Sequence, residues 1–429
     1  MRTGAGDLFV VADRTARQEE CRKKWIQHKC VGTIVAATGF GKTRVGMNCI
    51  ETIIKHYPNF KCLVVVPTDA LQKQWKAQLD KKGLGLNCDV MVINSVVKEK
   101  RQYHLVILDE IHRYASDVFS QIFTQVGFKY ILGLTATFER LDGKETLLAK
   151  YCPVIDSITL QEALMSGWVS PFIEYEVLLQ VDNIEEYELL NKEFTEHFEF
   201  FNFDFNLAMQ MVGKDGWKNR QAYRDKIAPK GASASDRKFL LSNITYHAMG
   251  FMRTIQARKK FINEHPKKIE IANKIIEARL DKKIVTFSKK VAMAEQIAYG
   301  EVYTGKTSKK RSATVLDDFN KYSTGVLNTC EKVNEGLDVH GLSVAIILGL
   351  DSAHLKAIQR VGRVIRYEAG KQAEIFNLII DKTVETKWFS TSHPDGGFKV
   401  IDEQGLEKVL RGEDPGEYVR PAAKFVFRF

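Results

Sequence analysis

Ala36-Ala37-Thr38-Gly39-Phe40-Gly41-Lys42-Thr43 follows a short β-branched run, Thr33-Ile34-Val35-Ala36, and precedes a helical pattern. A strand, a glycine-bearing loop and a helix in that order are the context a phosphate-binding loop requires. Gly39 and Gly41 let backbone N–H groups close around phosphates, and a helix starting near Thr43 aims the positive end of its dipole at them. In such a loop Lys42 reaches the β- and γ-phosphates and Thr43 ligates Mg2+. Ala36 stands where the general pattern has glycine. No dinucleotide fingerprint competes, because Gly83-Leu84-Gly85 would need a further glycine where Cys88 stands; a nicotinamide or flavin enzyme is disfavoured.

Outward from the loop, residues 1–158 alternate short apolar runs with longer helical patterns: Cys62-Leu63-Val64-Val65-Val66, Val90-Met91-Val92-Ile93, Leu105-Val106-Ile107-Leu108 and Tyr130-Ile131-Leu132-Gly133-Leu134. Runs of this kind read as parallel strands covered on both faces. The third ends in Asp109-Glu110-Ile111-His112, which puts two carboxylates at the C-terminal end of a strand, where ligands of open α/β sheets bind. Asp109 suits the Mg2+ shell, and Glu110 suits a water that attacks the γ-phosphate. A second α/β domain follows over 271–384, through Lys283–Phe287, Thr324–Asn328, Val344–Leu348 and Ala373–Leu378. Between the two lies a linker and mainly helical insert, 159–270, and after them a short C-terminal tail, 385–429.

The 429 residues are 45% hydrophobic and 27% charged, which excludes disordered, collagenous and disulfide-stapled classes. Seven scattered cysteines without a CxxC fit neither a disulfide framework nor a zinc site. No apolar run reaches a membrane span and Met1–Asp7 lacks a signal-peptide core, so no membrane partner and a cytoplasmic location are expected, with the nucleus as the other compartment. The net charge of +10 favours a polyanionic partner. It is unevenly spread: roughly −10 over 151–200 and roughly +8 over 201–270. The basic half interleaves Lys214, Lys218, Arg220 and Arg224 with Trp217, Tyr223 and Phe251, types that suit a thumb-like contact on duplex or forked DNA. The preceding Phe198–Phe205 cluster reads as core, and Gly231–Ser235 as a flexible loop.

These motifs resemble superfamily 2 helicases and translocases, in order along both α/β domains. Asp109-Glu110-Ile111-His112 resembles motif II of the DEAH-like branch, and Thr135-Ala136-Thr137 resembles motif III, so His112, Thr135 and Thr137 are expected to couple hydrolysis to motion. Pro67-Thr68 opens a segment, through Trp75, similar to motif Ia, which in the family contacts the strand backbone. Arg17-Gln18 sits where such enzymes carry an adenine-reading glutamine. In the second domain Thr329 with Glu335–Val339 resembles motif V, placing Asp338 at the nucleotide, and Gln359-Arg360-Val361-Gly362-Arg363-Val364-Ile365-Arg366 resembles motif VI. By resemblance Gln359, Arg363 and Arg366 are catalytic, the arginines as fingers that neutralise transition-state charge on the γ-phosphoryl group. Thr304-Gly305 falls where a further strand-contacting motif belongs. The combination of Thr-Ala-Thr-Phe-Glu-Arg-Leu-Asp-Gly over 135–143, a Leu164-Met165-Ser166-Gly167-Trp168-Val169-Ser170-Pro171 link and Glu-Gly-Leu-Asp-Val over 335–339 is similar to the XPB-like group and to phage branch-migration helicases such as UvsW.

The resemblance implies two tandem RecA-like α/β domains, ATP and Mg2+ as cofactors, and DNA, forked, branched or duplex, held mostly by its backbone. Monomer is expected, since one chain supplies both walls of the cleft, and the absence of a long N-terminal extension fits a minimal motor. Three function classes stay open: a DNA helicase that unwinds forks or migrates branched junctions, a duplex translocase that unwinds nothing, and a catalytically dead clamp. Glu110, Gln359, Arg363 and Arg366 argue against the clamp. An RNA helicase also stays open, although the DEAD-box form of motif II is absent.

Overall fold

The computed structural model describes residues 13–57, 59–96, 100–116, 119–138, 143–304, 309–330, 339, 341–349, 372–393 and 396–418. Six strands, β1 (Val31–Ala36), β2 (Cys62–Val66), β3 (Cys88–Val92), β4 (Gln102–Asp109), β5 (Gly127–Thr135) and β6 (Val154–Ile158), form a sheet in the order β3-β2-β4-β5-β1-β6. All of its pairings are parallel. The apolar runs are continuous because the sheet has a core on each face: Cys62, Val64 and Val66 enter one, and Leu63 and Val65 the other. Helices α1 (Arg14–Gln27), α2 (Lys42–Ile54), α3 (Asp69–Lys81), α4 (Ile93–Val96), α5 (Ile122–Gln125), α6 (Glu145–Tyr151) and α7 (Leu160–Met165) cover it. Since β5 lies between β1 and β4, the phosphate loop and the acid pair are two strand spacings apart, about 10 Å.

The second sheet has seven strands, β7 (Phe172–Leu179), β8 (Lys283–Ser288), β9 (Glu301–Tyr303), β10 (Gly325–Cys330), β11 (Val344–Ile347), β12 (Ala373–Ile380) and β13 (Lys399–Ile401), in the order β13-β7-β12-β11-β8-β10-β9, again all parallel. It reaches beyond 271–384 on both sides. β7 comes from the segment read as linker and β13 from the segment read as tail, and β7 pairs with β12 over eight residues.

The insert leaves the sheet after β7 as α8 (Ile184–Glu199), α9 (Phe205–Val212), α10 (Gly216–Ile227) and α11 (Ala234–Glu264). Phe198, Phe201, Met211, Ile244 and Phe251 make its core, so Phe251 is no surface wedge. The expected phenylalanine core splits: Phe203 and Phe205 are exposed. The expected loop at 231–235 already starts the long helix, for Ser233 caps α11 in a reciprocal box with Asp236. The chain re-enters the second domain through α12 (Pro266–Glu277), whose Ile271, Ile275 and Ile276 pack against that sheet. α13 (Val291–Glu295), α14 (Lys309–Lys321), α15 (Val384–Ser392) and α16 (Glu403–Leu410) complete it. Among the described residues no helix is long and apolar enough to cross a membrane.

One charge pair fastens α12 to α15. The Lys268 ammonium lies 2.7 and 2.8 Å from the two carboxylate oxygens of Glu385, and neither side chain reaches solvent. Glu385 also accepts from the N–H of Ile380 at 3.1 Å. Beside it the Tyr187 hydroxyl accepts from Arg258 of the insert and from the Val384 N–H, which roots the insert on the same spot. Removing one partner of a buried pair strands the other charge. Glu385→Ala should therefore cost about 3–5 kcal/mol in urea denaturation, and Lys268→Met with Glu385→Leu together should cost less than either single change; singles that melt like wild type refute the assignment.

Candidate active site

Gly39 and Gly41 both adopt positive φ, 92° and 99°, and Gly41 is the N-cap of α2. No side chain caps α2, so its first-turn N–H groups keep their bonding capacity for an anion. The Lys42 ammonium donates to the Ala36 carbonyl at 3.1 Å, across the mouth of the loop. Gln18 is buried and donates through Nε2 to the Phe40 carbonyl at 2.7 Å. A Cβ on Gly41 would stand 2.5 Å from that nitrogen, so only glycine admits both the backbone turn and the glutamine. The Phe40 ring packs on Trp168, centroids 5.3 Å apart, and Arg14 bonds the carbonyls of Gly39 and Trp168 at 3.5 and 3.3 Å. Thr38 and Thr43 are half-buried on the loop and the first turn of α2.

At the end of β4, Asp109 Oδ2 accepts from the Trp75 indole N–H at 2.8 Å and Oδ1 from the Glu110 N–H at 3.1 Å. Burial raises its carboxyl, the Glu110 charge raises it further, and the Trp75 bond and Lys42 offset part of this, leaving it at about 6. The indole lies close over α2 because residue 46 is glycine: a Cβ there would be 2.7 Å from the Trp75 ring. Glu110 adopts a left-handed backbone, φ 53° and ψ 53°, which costs a non-glycine residue about 1–3 kcal/mol. The strain is matched by placement, since its Oε2 is buried with no hydrogen-bond partner. His112 Nδ1 lies 3.5 Å from that oxygen and 2.9 Å from Thr135 Oγ1. The Thr135 hydroxyl donates to the Thr137 carbonyl at 2.6 Å, so Nδ1 carries the proton, and the Thr137 N–H closes the chain at 3.2 Å.

These groups fit ATP with a hard divalent cation. The unsatisfied carboxylate oxygen of Glu110 suits a water whose proton it accepts or orients. Thr43 and Asp109 are the oxygen ligands that would hold Mg2+, which when bound neutralises phosphate charge. The hydrogen-bonded path from His112 through Thr135 to Thr137 joins the acid pair to the end of β5, next to the loop strand.

Several expected residues are placed differently. The Arg17 guanidinium bonds Asp156 at 2.6 and 3.0 Å and Glu162 at 3.1 Å. Burial raises the Asp156 carboxyl, but the Arg17 and Lys24 bonds outweigh it and hold the group at about 2. Thr329 is fully buried, and its hydroxyl donates to the Thr286 carbonyl at 2.7 Å. Thr304 is buried as well. Thr68 is half-buried beside Pro67 and caps α3 by accepting from the Leu71 N–H. In the insert Lys214 and Lys218 are exposed, but Arg220 is buried and bonds the Met211 carbonyl, while Arg224 pairs with Asp225. Gly305, Asp338, Gln359, Arg363 and Arg366 lie outside the described residues. Sequence reasoning missed Arg14 and Gly46, took Trp168 only as part of the link after the first domain, and took Trp75 only as part of a strand-contacting segment.

A phosphate loop and an acid pair at the C-terminal end of one parallel sheet, two strands apart, define a P-loop nucleoside-triphosphatase. Residues 13–94 and 90–140 match the family model of the type III restriction enzyme res subunit, and 267–368 match the helicase conserved C-terminal domain. The DNA 3'-5' translocase XPB2 of Sulfurisphaera tokodaii is 26% identical over 390 residues, 86% of this chain and 82% of that protein. An African swine fever virus protein assigned by name to the ATP-dependent RNA helicases, QP509L, is 32% identical over 164 residues, 32% of this chain and 31% of its own length. The crystal structure of the Pyrococcus furiosus Hef helicase domain superposes with a TM-score of 0.54 over 88% of this chain and 97% of that one at 17% identity, a likeness of fold. The chain is an ATP-hydrolysing enzyme of the superfamily 2 helicase type.

Two outcomes test the geometry. Glu110→Gln should bind ATP as wild type does and lose about 10²- to 10⁴-fold in kcat, whereas Lys42→Ala should lose nucleotide affinity; wild-type turnover in either counts against its role. Trp75→Phe removes a bond that favours ionised Asp109, so the acid limb of the pH–rate profile should move to higher pH and the Mg2+ requirement should rise. An unshifted limb would show that the indole only packs.

Proposed function

We propose that the chain is an ATP-driven DNA motor that moves along DNA and unwinds forks or migrates branched junctions. The observation that supports it most is the relation to a protein named as a DNA translocase, which runs through 86% of this chain. The net charge of +10 is the sign a phosphate backbone requires. In this reading ATP closes the cleft between the α/β domains, hydrolysis reopens it, and alternating grips on the backbone step along one strand. Mg2+ accompanies the nucleotide, Arg363 and Arg366 complete the site from the second domain, and a cytoplasmic monomer suffices. A duplex translocase that unwinds nothing is the second reading, favoured by the translocase name of the same relative, and the similarity to QP509L keeps RNA as the third.

Steady-state ATPase activity with no nucleic acid, single strands, duplex, forks, a four-way junction and RNA, each at two salt concentrations, separates them. Forks or junctions should stimulate most, with stimulation falling at high salt. Duplex alone as the best activator would select the translocase, and preference for RNA would overturn the DNA assignment.

A further inference from the structure

The long helix α11 carries a stripe at helical spacing, Lys238, Ser242, Thr245, Met249 and Arg253, flanked by Leu241 and Tyr246, that faces Trp217 of α10 across an open groove of about 680 Å3. Its walls expose large apolar side chains together: Trp217 is 56%, Tyr246 64% and Met249 46% accessible. Single exposed apolar residues are ordinary, but two aromatics and a methionine around one concavity mark a binding surface. The lining holds two cations and no carboxylate. Arg253 lies 3.3 Å from Glu193 yet remains 69% exposed, so its charge stays available at the rim. The Trp217 indole is held in place from below, for the Arg220 guanidinium sits 5.9 Å from its ring centroid and is itself anchored on the Met211 carbonyl.

We propose that this groove binds unpaired nucleotides, with bases stacked on Trp217 and Tyr246 and phosphates met by Lys238 and Arg253. A rigid aromatic beside cations is the recurrent recipe for single-stranded nucleic acid, because every base offers a π face and every linkage a charge. Paired bases keep their faces inside the stack, so the groove discriminates unpaired from paired DNA. The absence of acidic residues from the lining favours this polyanion over an apolar peptide. The stripe from 238 to 253 spans about 22 Å of helix, room for a run of several nucleotides. The assignment rests on the DNA motor reading and adds to it a site on the insert, outside the ATP cleft.

The test uses the full chain with an oligo-dT strand, an abasic deoxy strand of equal length and oligo-U. Among its five tryptophans Trp217 is the exposed one, the others being buried or half-buried, so fluorescence quenching reports on the groove. Wild type should bind oligo-dT about ten- to hundredfold tighter than the abasic strand, with quenching. Trp217→Ala should remove most of the difference between oligo-dT and the abasic strand and Trp217→Ala with Tyr246→Ala all of it, Trp217→Phe should keep most of it, and Lys238→Ala should weaken both deoxy strands alike and flatten the salt slope. Equal binding of oligo-dT and abasic DNA by wild type, or full base preference in Trp217→Ala, overturns the groove. In that event DNA-stimulated ATPase activity would still stand for the motor. Base-dependent binding that favours oligo-U, with ATPase activity driven by RNA alone, would overturn the motor reading and the DNA commitment together.

Discussion

Everything at the active end of the first sheet depends on keeping one carboxylate charge usable at the buried tip of β4. Burial drives Asp109 toward the neutral acid, a form that holds a cation poorly. The fold answers with an indole N–H, a backbone N–H and a lysine across the loop, each favouring the ion. The indole in turn needs Gly46, where a Cβ would collide with the ring. A glycine inside a helix, unfavourable for stability, is thus a consequence of that electrostatic requirement.

The phosphate loop is not a free-standing motif either. Gln18 and Arg14, from a helix before the first strand, and Trp168, after the last strand of the first sheet, hold the carbonyls and the aromatic of residues 39–40. Arg17 braces the same helix against β6 through Asp156. Trp168 lies just before β7, the first strand of the second sheet. A displacement of that strand therefore bears on the loop through a buried ring and an arginine.

Much of this was legible in the residues. Strands that enter two cores, such as β2 and β4, show as unbroken apolar runs, and the loop and acid pair follow them at the right place. What was not legible has physical reasons. β7 reads Phe-Ile-Glu-Tyr-Glu-Val-Leu-Leu, and its two glutamates break the run, yet both are buried, with Glu174 satisfied by Asn377 and His393 some two hundred residues on. β13 is three residues long and carries no period. Arg17, Arg220 and Thr329 have the right chemistry for ligands, but partners distant in sequence or on a neighbouring element claim their donors. Charge and hydroxyl content can be read from a string of residues; prior commitment of those groups cannot.

The parallel pairing of β7 has a bearing on synthesis. Both of its neighbours, β12 and β13, are encoded long after it, while the first sheet is complete by Ile158. At roughly 5–20 residues per second, the roughly 200 residues between β7 and β12 leave that strand unpaired at the ribosome for about 10–40 s. The insert emerges in this interval with its own phenylalanine core, so it can collapse first and hold the waiting strand near a folded body. Nascent chains of this protein thus present a time-limited sticky edge, and the helical insert, whatever it touches in the finished enzyme, stands beside it when it is most exposed.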